Sequence, residues 1–547
     1  MTIPDISRYL GSRSSRLSDI LQVSIVISML AACGGGGGDT GLGANAPEPV
    51  AARCPVDVAA RPGTVLTDSG AVTGVNEGAL WSWKGIPYAA PPLGPLRWRE
   101  PEPAQCWAGE RLASEYGAQC PQLADDAVVG DEDCLTLNVW APEQAEGAPV
   151  LFFVHGGGNT IGSASDPLYD GAELASRTGS VVVTIEYRLG ALGFFAHEAL
   201  SQESAAGVSG NYGFLDQVAA LEWVQANIAG FGGDPARVLL FGESAGAQNT
   251  LVHMASPRSA GLFSSALVQS GGTYKTTLAQ GIEQMAIVVD TVGCNGADEL
   301  ACMRGRSVAE IAAVPSAPGP LERGLQYGPL IDGDILPDNA AEVIARGEHN
   351  HVPFVIGSNA HETSRMVASV ASEAEYEAVV RGMYGLPLGN LLLSQYPASG
   401  FASPRAALIR LTTDVTWTCP TRRLARAAAA SQDEPVFRYY FSWTAPGPAG
   451  ILIGATHGLE LPFVFRNFSA LSSGFEPSAA DIDLSVTMQR FWSQLAAGGN
   501  PNADDTVVWP EYQSTGDAYM EFGSTVVAGE GLETGSCDFI DSILAGN

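Results

Sequence analysis

Short, continuous apolar runs alternating with helical patterns constrain this chain more than any other feature. Val150 to Val154, Val181 to Ile185 and Val238 to Phe241 are apolar at nearly every position, with Ala266 to Val268, Phe354 to Ile356 and Val436 to Phe441 as further candidates. Strands that read apolar throughout, instead of at alternate positions, are buried on both faces, and a largely parallel sheet covered by helices is what buries them so. Between Asp216 and Ile228 the apolar residues Val218, Leu221, Val224 and Ile228 recur at helical spacing, with Asp216 placed to favour the helix N-terminus. The order predicts an α/β fold, a large central, mostly parallel sheet flanked by helices with long loop and helical insertions, over residues 54–547 as one domain.

The N-terminal region reads as an address instead of a fold. Arg8, Arg13 and Arg16 precede an apolar stretch from Ile20 to Ala32, too short to span a bilayer and suited to the core of a secretory signal. Leu30-Ala31-Ala32-Cys33 resembles a bacterial lipobox, which predicts cleavage after residue 32 and lipid on Cys33. Residues 33–53, with Gly34 to Gly38 and Pro47-Glu48-Pro49, read as a flexible tether. The expected location is therefore the bacterial cell envelope, with the protein exported and held to a membrane by its N-terminal lipid.

The chain carries 28 Lys and Arg against 59 Asp and Glu, a net charge of −31, which becomes −32 once three Arg and two Asp leave with residues 1–32. A field of that sign repels phosphate backbones, so nucleic acid is excluded as a partner. Of nine cysteines, assigning Cys33 to lipid leaves an even remainder suited to disulfides in an oxidising compartment. None of them forms a Cys-x-x-Cys pair, which argues against a zinc or thioredoxin-type centre.

The chemistry is concentrated at strand-to-helix turns. Gly242-Glu243-Ser244-Ala245-Gly246 follows a predicted strand and opens a predicted helix, the context in which a tight turn presents a serine Oγ and the next N–H to one pocket. A serine nucleophile needs a histidine base and an acid to orient it, in the chain order serine, acid, histidine. Far downstream of Ser244 lie His349, His351, His361 and His457; the last sits in a glycine-flanked turn, and spacing alone leaves the choice open. His155-Gly156-Gly157-Gly158 can supply backbone N–H donors to an oxyanion. It lacks the lysine and hydroxyl residue that end a phosphate-binding loop.

These motifs resemble the type B carboxylesterases, the carboxylesterase and cholinesterase relatives within the α/β-hydrolase superfamily. The resemblance runs from about Gly74 to Phe539 through Lys84-Gly85-Ile86-Pro87-Tyr88-Ala89, Glu132-Asp133-Cys134-Leu135, Gly210-Asn211-Tyr212-Gly213 and Phe231-Gly232-Gly233-Asp234-Pro235. It implies Ser244 as nucleophile, Glu362 in the segment Ile356 to Glu362 as orienting acid, and His457 in His-Gly-x-Glu as base. Gly157, Gly158 and Ala245 become the oxyanion donors, and no cofactor or metal is called for. The resemblance pairs Cys120 with Cys134, Cys294 with Cys302 and Cys419 with Cys537, leaving Cys54 with Cys106 by elimination.

The expected function is an exported serine carboxylesterase acting on small-molecule esters through an acyl-enzyme. A lipase is the nearer alternative and a non-catalytic adhesion member the remoter one. A histidine base beside an acid predicts activity that rises through an apparent pKa of around 6 to 7. Two departures stand out: Asn159 follows the glycines where an aromatic residue is usual, and the segment between Cys120 and Cys134 is short and lacks tryptophan. The second argues against cholinesterase activity and for neutral esters.

Overall fold

The computed structural model describes Cys54 and residues 61–545, apart from 125–126, 317–320, 322–323, 472–474 and 503–506. The signal segment, Cys33 and all of the tether lie outside the described residues.

An eleven-stranded sheet organises the chain. In sequence order its strands are β1 (Val75–Asn76), β2 (Leu80–Pro87), β3 (Thr136–Pro142), β4 (Ala148–Val154), β5 (Val181–Ile185), β6 (Gly233–Glu243), β7 (Ser265–Gln269), β8 (Phe354–Asn359), β9 (Val436–Phe441), β10 (Tyr519–Phe522) and β11 (Val526–Gly529). Their spatial order is β11-β10-β9-β8-β7-β6-β4-β5-β3-β2-β1. Pairing is parallel from β5 through β4, β6, β7, β8 and β9 to β10. It is antiparallel at both margins, where β3, β2 and β1 close one side and β11 the other.

The apolar runs are continuous because alternate residues feed two different cores. From β4, Val150, Phe152 and Val154 enter the core on one face, which also takes Leu221, Leu251 and Leu424 from helices α1 (Tyr212–Asn227), α2 (Ala245–Ala255) and α3 (Cys419–Ser431). Leu151 and Phe153 enter the core on the opposite face, against Met488, Phe491 and Trp492 of α4 (Ala479–Gly498). Each such large side chain removed from water contributes about 1.5–3 kcal/mol, which is why the central strands can spare no polar face.

One local expectation is corrected. Asp216 is not at a helix start, because α1 begins at Tyr212 and is buried almost all round. Its carboxylate instead receives Arg188 Nε and Nη2, each at 2.7 Å, and the Arg188 backbone N–H at 3.0 Å. Charge-assisted bonds of this kind satisfy a side chain that has no access to water. Ile228 also falls beyond the helix, in the 3-10 turn Ile228–Phe231. Four disulfides, Cys54–Cys106, Cys120–Cys134, Cys294–Cys302 and Cys419–Cys537, cross-link segments outside the strands, the last joining α3 to the helix Thr534–Ala545.

In-phase parallel pairing brings the C-terminal ends of the central strands level. Gly242 of β6 pairs with Val154 of β4, and Asn359 of β8 with Phe441 of β9. The glycine loop, the Ser244 turn, Glu362 and the loop to His457 therefore leave the sheet on one edge, where ligands of open α/β sheets bind.

Candidate active site

Ser244 occupies the single residue between β6 and α2, at φ 58° and ψ −121°. A side chain held there is strained by about 1–3 kcal/mol, which persists only where the surroundings over-determine it. The flanking glycines do so: a Cβ on Gly246 would lie 2.0 Å from the Val154 carbonyl oxygen, and one on Gly242 would lie 2.5 Å from Gly246. The Ser244 N–H donates to the Gln269 carbonyl at 3.0 Å and locks the turn to β7.

Glu362, three residues beyond β8, is fully buried. Its Oε1 accepts from the Asn359 N–H at 2.7 Å and its Oε2 from His457 Nδ1 at 2.6 Å. In the neutral ring this bond places the proton on Nδ1 and leaves Nε2 as the nitrogen with a free lone pair. Nε2 lies 3.2 Å from Glu243 Oε1, a charge contact, since Glu243 Oε1 has no hydrogen-bond partner among the described residues. No hydrogen bond among the described residues joins the Ser244 hydroxyl to His457, as free enzymes often show before substrate tightens the site. Of the other histidines, burial lowers His155 to about 4 and His253 to about 3, which keeps both neutral in the core.

The glycine loop leaves β4 with three successive positive φ values, Gly157 at 102°, Gly158 at 64° and Asn159 at 56°. Gly157 admits no substitute, because a Cβ would fall 2.1 Å from the Ile161 carbonyl oxygen. Gly158 is exposed and Gly157 half-buried, so the loop is open to a ligand. Gly156 brings it against the serine: a Cβ there would be 3.0 Å from Ser244 Cβ. The loop's far end is held by Gln122, whose amide exchanges 2.8 Å hydrogen bonds with both the N–H and the carbonyl of Gly162. Glu186 accepts from the Ser163 hydroxyl and from the Ala164 N–H.

Two carboxylates beyond Glu362 were not singled out in the sequence, although both sit inside the motifs. Glu243 is the variable residue of the serine turn and Glu460 the glutamate of His-Gly-x-Glu. Glu460 is wholly buried, with Oε1 3.0 Å from Gln269 Nε2 and Oε2 2.5 Å from Asn359 Nδ2. Trp417 comes from the π-helical turn Asp414–Thr418, its ring centroid 5.2 Å from that of His457 and its Nε1 donating to Ser270 O. Its approach from a remote helix leaves no spacing signal in the chain.

The charges set the pH behaviour. Burial lowers the His457 imidazole, but Glu243 and then Glu362 outweigh it and raise the ring from 6.5 to about 10. Burial, opposed by His457, pushes Glu243 up to about 8, and burial with the neighbouring Glu362 raises Glu460. A raised imidazole becomes neutral only at higher pH, so if His457 is the base kcat/KM should climb on the alkaline side of 7, above the roughly 6 to 7 of an unperturbed histidine. Glu243→Gln removes the charge facing Nε2 and should move that limb to lower pH by about one unit, equivalent to about 1.4 kcal/mol. Stopped-rate assays from pH 5 to 10 on folded protein check this; an unmoved limb in Glu243→Gln would refute the Glu243 effect.

Among the described residues, no group of three or more His, Cys, Asp or Glu side chains is arranged to hold a metal ion. The arrangement suits acyl transfer: a hydroxyl on a strained turn, an imidazole hydrogen-bonded to a buried carboxylate, and a glycine loop packed against the serine.

The model of the carboxylesterase family matches residues 61–540. The chain belongs to the carboxylesterase family. It is 39% identical to a fumonisin B1 esterase of Sphingopyxis macrogoltabida over 85% of this chain and 87% of that protein. It is 35% identical to a para-nitrobenzyl esterase of Bacillus subtilis over 82% and 92% respectively. A solved PNB esterase superposes with a TM-score of 0.77 at 32% identity, covering 88% of this chain and all of that one. This carboxylesterase has the α/β-hydrolase fold and is a serine hydrolase of carboxylic ester bonds.

Proposed function

We propose that this carboxylesterase is exported, is held to a membrane by lipid on Cys33, and cleaves neutral small-molecule esters through an acyl-enzyme on Ser244. The observation that carries the catalytic part is the 2.6 Å Glu362–His457 bond beside a serine held at positive φ between β6 and α2. Neutral His457 Nε2 takes the Ser244 proton as Oγ bonds to the ester carbonyl carbon, and the oxyanion is received by the N–H groups of Gly157, Gly158 and Ala245. His457 then gives that proton to the departing alkoxide as the carbon–oxygen bond breaks. Water then attacks the acyl carbon, losing its proton to His457, which returns it to Ser244 Oγ as the Oγ–acyl bond breaks and the acid leaves.

Export is supported by the four disulfides, which engage every cysteine except Cys33 and suit an oxidising compartment. Neutral esters are favoured by the short Cys120–Cys134 segment, which carries no tryptophan to bind a quaternary ammonium group.

Mass analysis of enzyme extracted from membranes, before and after reaction with a p-nitrophenyl alkylphosphonate, tests both parts. The expected result is a mature N-terminus at Cys33 bearing lipid, no thiol titrated in unreduced, denatured protein, and one phosphonyl group on the Ser244 peptide. An unlipidated Cys33 overturns the anchor, and a label on any other residue overturns the nucleophile. Faster turnover of emulsified triglyceride than of p-nitrophenyl butyrate would make the enzyme a lipase.

A further inference from the structure

Asn159 ends the run of positive φ and is only 1 % exposed. Its Nδ2 donates to the Tyr274 hydroxyl at 2.6 Å and to the Tyr327 carbonyl at 3.3 Å, while its Oδ1 accepts from Asn249 Nδ2 at 3.0 Å. The Tyr274 hydroxyl completes a ring of three side chains by donating to Asn249 Oδ1 at 3.3 Å. The Asn159 carbonyl accepts from the Gly190 N–H at 2.7 Å, so main chain and side chain are both committed.

Asn249 lies four residues beyond Ala245 on α2, one turn along the same face. The Asn159–Asn249 bond therefore joins the loop carrying Gly157 and Gly158 to the helix carrying Ala245, within two residues of both glycines and one turn of the alanine. Donors on two separate elements stabilise an oxyanion only when their spacing is held to fractions of an ångström.

We propose that Asn159 is a positioning residue that sets the N–H groups of Gly157 and Gly158 against that of Ala245 through its hydrogen-bonded ring with Asn249 and Tyr274. The inference rests on Ser244 as nucleophile and on those N–H groups as the oxyanion donors. The ring holds no carboxylate or imidazole, so its effect on rate leaves the pH of the acid limb unchanged, unlike that of Glu243.

Two variants of the full enzyme test it. Tyr274→Phe removes the hydroxyl alone from a half-buried ring, and Asn159→Gly removes the amide while keeping a residue at ease with positive φ. With p-nitrophenyl butyrate, kcat should fall about tenfold in Tyr274→Phe and about a hundredfold in Asn159→Gly, the range that small misplacement of a catalytic group produces. KM should stay within about twofold of wild type, since ground-state binding does not use the oxyanion donors. Affinity for a trifluoromethyl ketone, whose serine adduct carries the oxyanion, should fall in step with kcat/KM. Wild-type kcat in folded Tyr274→Phe overturns the proposal even if Asn159→Gly does not fold, as does a kcat loss with unchanged ketone affinity or a shifted acid limb. Ser244→Ala separates the two levels: activity retained there removes the catalytic reading itself, whereas an inactive Ser244→Ala beside an unaffected Tyr274→Phe removes only the positioning role.

Discussion

Replacing Ser244 by alanine is expected to lower kcat on the order of a millionfold while leaving the fold intact. The fold should survive because the strain at φ 58° belongs to the backbone and Cβ, which serine and alanine share, and because the Ser244 N–H keeps its bond to Gln269 O. The hydroxyl makes no hydrogen bond among the described residues, so its removal leaves no buried partner unsatisfied. Rate is lost because no other group can form the acyl bond at that point, while the glycine-loop N–H groups keep a residual acceleration over water of about 10³–10⁴. Circular dichroism and kcat on the same preparation decide it. Folded Ser244→Ala protein that hydrolyses p-nitrophenyl butyrate at the wild-type rate would end the assignment.

Glu362→Gln should cost about 10⁴-fold in kcat, through the imidazole tautomer. The two oxygens of Glu362 face different donors, Asn359 N–H at Oε1 and His457 Nδ1 at Oε2. A glutamine can supply only one oxygen. The Asn359 N–H cannot become an acceptor, but a neutral imidazole can, so the glutamine oxygen goes to Asn359 and its NH₂ to Nδ1. The ring proton then sits on Nε2, the nitrogen that has to receive the serine proton. Near-wild-type kcat in folded Glu362→Gln, measured across the pH range where wild type is active, would show that Glu362 does not orient the base.

Local pattern carried what depends on chain neighbours. Continuous runs such as Val150 to Val154 announced strands buried on both faces, because β4 sends alternate side chains into two cores. The Gly242 to Gly246 turn was legible for a similar reason, since its demands are met by residues two apart in sequence and by the approach of one neighbouring strand. The likeness of long motifs to a known family then pointed to Glu362 and His457, which composition alone could not choose.

Interactions that join distant segments were decided only by the tertiary structure. Asp216 reads as a helix-start carboxylate in sequence, yet α1 starts earlier and the charge is taken by Arg188. Glu243 and Glu460 sat in plain view within the motifs, but nothing along the chain says that three carboxylates converge on one imidazole and raise it. The Asn159, Asn249 and Tyr274 ring spans the glycine loop, α2 and the segment after β7. The sequence by itself determined the six central strands, the serine turn and the type of chemistry, because backbone sterics and apolar periodicity act over a few residues; the antiparallel strands at the sheet's margins left no such run. Where the donors, charges and protons of the site stand relative to one another was decided by the parallel register of β4, β6, β8 and β9, because hydrogen bonds and Coulomb interactions depend on distance in space and not along the chain.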